Sequence, residues 1–313
     1  MNLISKPKNS GLIGYFRLVR LPNVFTALAD ILAGFTIVHY SNLTLVQPGY
    51  GTLASLGAAS AGLYLAGMAF NDFADRKEDA RVRPNRPIPA GEVSLAGALI
   101  CGAGLMLLGI GMAASVSMFS LVCALFLSLA ILLYDFGSKG IAIAGPVTLG
   151  LCRFFNMEVA LSSDAQLPAR LQNAAHWEYA WVPALTVGIY AAGLTAFSAQ
   201  EESGKQLRSI VTGWLFCGGA IALAVVFSPT PWIWIAFVPL LAVLLSLTLR
   251  LQREGTPNAA RNLVRSGVMG ICVLDSGLIL GFAGPGAWPL ALASAALLAP
   301  AILVAKWLAQ KEA

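Results

Sequence analysis

The chain has 313 residues, of which 58% are hydrophobic and only 11% charged, far from the roughly 25% charge of soluble domains. That excludes an ordinary soluble enzyme and describes a polytopic, all-α membrane protein. Twenty Lys and Arg against 15 Asp and Glu leave a net charge of +5, but the basic residues are dispersed between apolar runs, and no nucleic acid is expected as a partner. Ten apolar stretches have the length of a membrane span: Val24 to Tyr40, Gly51 to Phe70, Val93 to Ala114, Val116 to Tyr134, Ile141 to Leu161, Tyr179 to Phe197, Ile210 to Phe227, Trp232 to Leu249, Leu263 to Phe282 and Trp288 to Trp307. With the N-terminus in the cytoplasm, 18 of the 20 Lys and Arg fall on the cytoplasmic side, counting Arg265 and Lys306 at the cytoplasmic ends of their spans and leaving Arg170 outside and Arg153 within a span, as the positive-inside rule requires. No repeat of short period and no linker divides the sequence, so residues 1–313 are expected to form one membrane domain.

In chain order, Lys6, Lys8, Arg17 and Arg20 precede the first apolar run, which lacks a small-residue cleavage site and is expected to be retained. Arg17 reads as an anchor at the headgroups. Asn23 and Asp30, seven residues apart, share one helical face, and an ionisable group at the depth of Asp30 needs a hydrogen-bond partner or a cavity.

The stretch from Gly67 to Gly91, GMAFNDFADRKEDARVRPNRPIPAG, stands apart. No proline lies between Leu63 and Asp79, so the second span is expected to continue as a helix through this segment. At about 100° per residue, Asn71, Asp72, Asp75 and Asp79 fall within an arc of about 100°. Like charges this close repel unless a cation is shared, and hard oxygen ligands suit Mg²⁺. Pro84, Pro87 and Pro89 end the helix and are expected to hold Arg83 and Arg86 in an extended segment nearby. Arginine forks match phosphate oxygens. Together these residues describe a magnesium diphosphate site at a membrane surface.

The pattern N71-D72-x-x-D75-x-x-x-D79 followed by R83-P84-x-R86-P87-I88-x-x-G91 resembles the first aspartate-rich motif of the UbiA superfamily of intramembrane polyprenyltransferases, of which 4-hydroxybenzoate polyprenyltransferases are examples. The resemblance implies a bundle of nine to ten transmembrane helices that is an enzyme of the alkyl-transferring class. Such an enzyme uses Mg²⁺ to move a prenyl group from a polyprenyl diphosphate to a small-molecule acceptor, aromatic or lipid-like, at the cytoplasmic side of the membrane. It implies Asn71, Asp75 and Asp79 as metal ligands with Asp72 beside them, and Arg83 and Arg86 on the leaving group. The segment R17-L-V-R20-L-P22-N23 is similar to the family's approach to the first helix, which places Arg20 and Asn23 among the ligand-binding residues.

Tyr134, Ser138 and Lys139 loosely match a family pattern at the fourth span's cytoplasmic end. Lys139 either adds positive charge to the diphosphate pocket or is a plain boundary lysine. Arg153 and Asn156, i and i+3 on the fifth span, either line the active cavity or, for Arg153, pair with Glu158 or Asp30 inside the bundle. The family's second aspartate motif is degenerate here: the loop after the sixth span reads S198-A-Q-E201-E202-S-G204-K205. Glu201 remains a candidate metal ligand, while Ser198 and Lys205 replace expected carboxylates, so that Lys205 is placed to touch phosphate itself. The altered loop also supports an alternative, a non-catalytic protein of this family that binds or exports a lipid diphosphate or precursor.

Asp275, in the ninth span, is expected to pair with Arg265 or a hydroxyl. The five cysteines show no paired spacing, and no disulfide or zinc site is expected. His39 and His176 are too far apart for a metal or relay site. The expected setting is a multi-pass protein of a bacterial inner membrane.

Overall fold

The structure, a computed structural model, describes residues 11–40, 49–141, 143–164, 177–198 and 207–312. Among these residues there is no strand. The ordered elements are α1 (Leu12–Leu18), a 3₁₀ turn (Leu21–Asn23), α2 (Val24–Tyr40), α3 (Tyr50–Val82), α4 (Leu95–Ala114), α5 (Met118–Leu133), a π-helical turn (Tyr134–Ser138) and α6 (Ala144–Leu161). The second half continues with α7 (Trp177–Ser198), α8 (Leu207–Phe227), α9 (Trp234–Glu254), α10 (Pro257–Met269), α11 (Ile271–Leu278), α12 (Trp288–Ala296) and α13 (Leu298–Glu312).

Nine helices among the described residues are long and apolar enough to cross a membrane, in keeping with an integral, multi-pass membrane protein. A tenth long helix, α6, coincides with the fifth predicted span; Arg153, Asn156 and Glu158 lower its apolarity below that of the nine. It packs between α2, α5 and α7, where those polar groups are shielded from lipid. The ninth predicted span is present but broken: α10 and α11 meet at Gly270, and the helix begins at Pro257, ahead of the expected Leu263.

Local chemistry sets the boundaries. Ser94 and Ser117 cap α4 and α5, their hydroxyls accepting from Gly97 N–H at 3.0 Å and Ser120 N–H at 2.9 Å, which satisfies donors left free at a helix start. Gly255, at φ 62°, ends α9 in the left-handed region. Where α6 crosses α7, Gly150 and Gly188 face each other so closely that a Cβ on either lies within 3 Å of the other's carbonyl oxygen. Small residues at such crossings let backbones approach in a membrane bundle, where packing replaces the hydrophobic drive.

The longest helix is α3, with 33 residues. It runs unbroken through the acidic segment and stops at Val82, two residues before Pro84, with Arg83 N–H donating to the Asp79 carbonyl at 2.8 Å. The arginine strap that follows is not extended as expected. Its free N–H groups find carbonyls and coil it into turns: Arg86 to Arg83 at 3.0 Å, Ala90 to Arg86 at 2.8 Å, Gly91 to Ile88 at 3.0 Å and Glu92 to Pro87 at 2.9 Å. Arg17 clamps this strap to α1 by pairing with Glu92 and donating to the Asn85 carbonyl at 2.9 Å, so it is more than a headgroup anchor.

Candidate active site

The last three turns of α3 present Asn71, Asp72, Asp75 and Asp79, and four cations from three other segments converge on them. Arg20 donates to Asn71 Oδ1 and Asp72 Oδ1, each at 3.0 Å. Arg86, from the strap, pairs with Asp72 and lies 3.7 Å from Asp79 Oδ2. Arg83 stands 3.6 Å from Asp79 Oδ1. Lys139 closes the ring by pairing with Asp75. The helical arc expected from spacing is therefore real, and Arg83, Arg86, Lys139 and Arg20 meet on it.

Backbone geometry contributes. Arg20 has φ 47° and ψ 51° and is the one non-glycine with positive φ among the described residues. A bulky side chain held there costs about 1–3 kcal/mol, a form of strain that clusters at functional sites. The corner aims the guanidinium at α3 while Pro22 sits in the 3₁₀ turn that begins at Leu21. On the opposite side, the π-helical turn after α5 carries Asp135, which accepts from Asn71 Nδ2 at 3.1 Å, and Phe136, which packs on Phe70 and Phe73 of α3. Asp135 fixes Asn71 with its oxygen toward Arg20. Its signal in the sequence was a carboxylate at the end of an apolar span, four residues before Lys139.

Asp72 and Asp79 are buried, whereas the Asp75 side chain retains 16% exposure. Burial, and next the neighbouring Arg20 guanidinium, pull Arg86 below its ordinary pKa; an arginine nonetheless remains charged. The oxygen chemistry suits a hard cation. Asn71, Asp72, Asp75 and Asp79 supply amide and carboxylate oxygens on one face, and Asp79 Oδ2, 3.7 Å from Arg86, is a buried oxygen that receives no hydrogen bond from the described residues. A carboxylate oxygen left so is expensive unless a cation completes it. Among the described residues no cluster of His, Cys, Asp and Glu is preassembled for a metal, and Asp72, Asp75 and Asp79 each face arginine or lysine.

The other expected residues are placed elsewhere. Arg153 donates to Asp30 Oδ2 at 3.0 Å and Thr26 Oγ1 at 2.7 Å, and lies over the Tyr64 ring at 5.5 Å. Asn156 donates to the same Asp30 oxygen at 2.8 Å and to the Ala27 carbonyl at 3.0 Å, while its own oxygen accepts from Ser60 at 2.7 Å. Of the open alternatives for Arg153, Asp30 is its partner and Glu158 is not. Asp30 lies seven residues along α2 from Asn23, about 10 Å deeper, so Arg153 and Asn156 form a buried network next to the acidic face and outside direct contact with it. Tyr64 lies between the two, within electrostatic reach of both Arg153 and Arg20.

Asp275 is not paired with Arg265 or a hydroxyl. It is fully buried on α11, no amide, hydroxyl or guanidinium among the described residues reaches it, and the group it faces is the Asp30 carboxyl. The break at Gly270 sets α10 apart from α11, and Arg265 lies exposed on α10. Asn23 is not bonded to the acidic face; its side chain is within hydrogen-bonding reach of Tyr64, and the residue borders a separate cleft against α9 and α10. Glu201 and Lys205, like Arg170 and His176, lie outside the described residues. Ser198 is described, and its hydroxyl donates back to the Thr195 carbonyl of its own helix at 2.7 Å.

A bundle of membrane-crossing helices with an aspartate face and an arginine strap at one end defines an intramembrane protein built around a polar, cation-lined site. A profile of the UbiA prenyltransferase family matches residues 27–268, and the chain belongs to that family. Among curated proteins it is similar to the digeranylgeranylglyceryl phosphate synthase of Methanosarcina barkeri, 32% identical over 143 residues, which is 44% of this chain and 50% of the relative. The synthase of the same name from Methanothrix thermoacetophila is 37% identical over 83 residues, 26% of this chain and 31% of that protein. The matches thus span half or less of these relatives' length. Among solved structures, a digeranylgeranylglyceryl phosphate synthase superposes with a TM-score of 0.61 at 17% identity, covering 86% of this chain and 97% of that one. A UbiA homologue from Archaeoglobus fulgidus bound to Cd²⁺ gives a TM-score of 0.57 at 14% identity, covering 82% and 99%. These two likenesses establish the fold.

Proposed function

We propose that this protein is a Mg²⁺-dependent prenyltransferase that moves a prenyl or polyprenyl group from an allylic diphosphate to a lipid-like or aromatic acceptor. The observation that carries this reading is the convergence of Arg20, Arg83, Arg86 and Lys139 on Asn71, Asp72, Asp75 and Asp79. Asn71, Asp75 and Asp79 would hold Mg²⁺, with Asp72 beside them and Glu201 a further candidate from the second loop; the ion supplies charge neutralisation for the diphosphate. The cations then do the work of the leaving-group site. As the allylic C–O bond breaks, its electron pair passes to the diphosphate, and preorganised guanidinium and ammonium groups stabilise the growing charge. The same carbon bonds to the acceptor's nucleophilic atom, which gives up its proton to the departing diphosphate, screened from water by the helices around it. Lys205 is proposed as a phosphate contact where the family's pattern has a carboxylate. The names of the archaeal relatives favour a lipid-like acceptor over an aromatic ring.

The direct test is Mg²⁺-dependent release of pyrophosphate from short and long allylic diphosphates by the purified protein. Release that stops when Mg²⁺ is chelated is expected. Tight, Mg²⁺-dependent binding without release under any acceptor would favour the non-catalytic binding or export reading and overturn the transferase.

The distribution of Lys and Arg supports a site that opens to the cytoplasm with the N-terminus on the same side. A cysteine near Gly49 should then be labelled by a membrane-impermeant maleimide from outside intact cells, and one near Glu254 only after the membrane is opened. The opposite pattern would reverse the orientation.

A further inference from the structure

α2 and α11 pack against each other through a pair of acids that the diphosphate chemistry leaves unused. Asp30 on α2 and Asp275 on α11 are both fully buried, and their carboxyls face each other. Arg153 and Asn156 both donate to Asp30 Oδ2. The other oxygens of the pair, Asp30 Oδ1 and both of Asp275, receive no hydrogen bond from the described residues.

The remaining ionisable groups nearby are engaged elsewhere. Tyr64 of α3 lies beneath the Arg153 guanidinium. Cys272, one turn ahead of Asp275, aims its thiol at the Phe25 carbonyl of α2 at 4.0 Å. Among the other helices packed on α11, Tyr190 of α7 donates to the Gly267 carbonyl at 3.1 Å, α12 carries no ionisable side chain, and the charged residues of α9 and α10 are exposed.

The charge count selects the ligand. Two carboxylates against one guanidinium leave a negative charge uncompensated in the interior of a membrane bundle, where it is expensive. Ionised carboxylates also only accept hydrogen bonds, so their contact is a repulsion. One proton corrects both faults: the two acids and the arginine become neutral together, and one carboxyl turns into an O–H donor to the other, a charge-assisted bond. A divalent ion would overshoot the charge and gather about six oxygens, more than the pair leaves free. We propose that Asp30 and Asp275 together bind one proton, shared between Asp30 Oδ1 and an Asp275 oxygen, as an intramembrane proton-binding site between α2 and α11. α11 is a short segment between the break at Gly270 and a π-helical turn at Ile279–Ala283, and the shared proton gives it a polar link to α2. The site rests on neither reading of the protein's function.

The test is infrared spectroscopy of the full chain in detergent at neutral pH, reading the C=O stretch that a protonated carboxyl has and an ionised carboxylate lacks. Asp275→Asn is expected to lose the band of one carboxyl, because its amide N–H takes the proton's place and the Asp30 carboxylate balances Arg153. Asp30→Asn should lose the same band, since Asp275 then becomes the counter-ion of Arg153. An unchanged band in Asp275→Asn would overturn the proposal, and a band lost there but kept in Asp30→Asn would assign the proton to Asp275 alone and overturn the shared site. Exchanging choline chloride for sodium chloride should leave the band intact; its loss in sodium would identify a metal ion as the ligand. If either variant does not fold, protein labelled with ¹³C at the aspartate side-chain carboxyl decides: a band that shifts with the label and persists in Asp135→Asn supports the site, and the absence of any such band overturns it.

Discussion

Replacing Asp75 with alanine is expected to weaken Mg²⁺-dependent binding of an allylic diphosphate by about 100-fold or more, since loss even of groups that only orient a metal's ligands costs about 10–100-fold. The same variant should melt within about 3 °C of the wild type in detergent. Both parts follow from where the residue sits. The Asp75 side chain is 16% exposed and its one ion pair among the described residues, with Lys139, involves an ammonium that is 35% exposed, so its removal leaves no described charge stranded in the interior. Asp72 makes a poorer test, because it is buried and removing it strips Arg20 and Arg86 of their shared partner. Calorimetric titration of the diphosphate at several Mg²⁺ concentrations gives the answer. Wild-type affinity at limiting Mg²⁺ would end the metal assignment at Asp75.

Arg153→Met is expected to cost about 3–5 kcal/mol of stability, because it leaves the Asp30 carboxylate with Asn156 alone and the buried Asp275 opposite, without a cation. A drop in melting temperature of roughly 10 °C follows for a chain of this size. Asp30→Leu/Arg153→Met, which removes the pair together, should recover most of the loss, since apolar replacement of a whole buried pair is often neutral. If Arg153 instead served the substrate directly, the single variant would keep its melting temperature and lose diphosphate binding, and the double variant would bind no better.

The face of α3 was legible because its four oxygen-bearing residues repeat with the helix period and prolines mark where the helix ends. Other features depend on contacts that no spacing reports. Arg20 reaches residues 51 and 52 positions away, Arg153 one 123 positions away, and Arg17 one 75 positions away. The strap misled for a definite reason. Alternating prolines favour an extended chain, but Arg86, Ala90 and Gly91 keep their N–H groups, and pairing those with nearby carbonyls coils the segment. Asp275 misled because Arg265 stands ten residues before it, close in sequence but across the break at Gly270. Asp135 needed only more weight on a carboxylate at the end of an apolar span.

The length of α3 also fixes how a donor arrives. Thirty-three residues make a rod of about 50 Å, against a hydrocarbon layer of about 30 Å. Its acidic turns therefore stand in the headgroup layer, roughly level with where a membrane-dissolved polyprenyl chain would carry its own diphosphate. Under the proposed function such a molecule would be found by diffusion within a plane, with its tail never leaving the bilayer. Encounter then scales with the donor's density per area of membrane and not with its concentration in water. Diluting a fixed set of proteoliposomes into more buffer should leave turnover of a long-chain donor unaltered while slowing that of a short, water-soluble one.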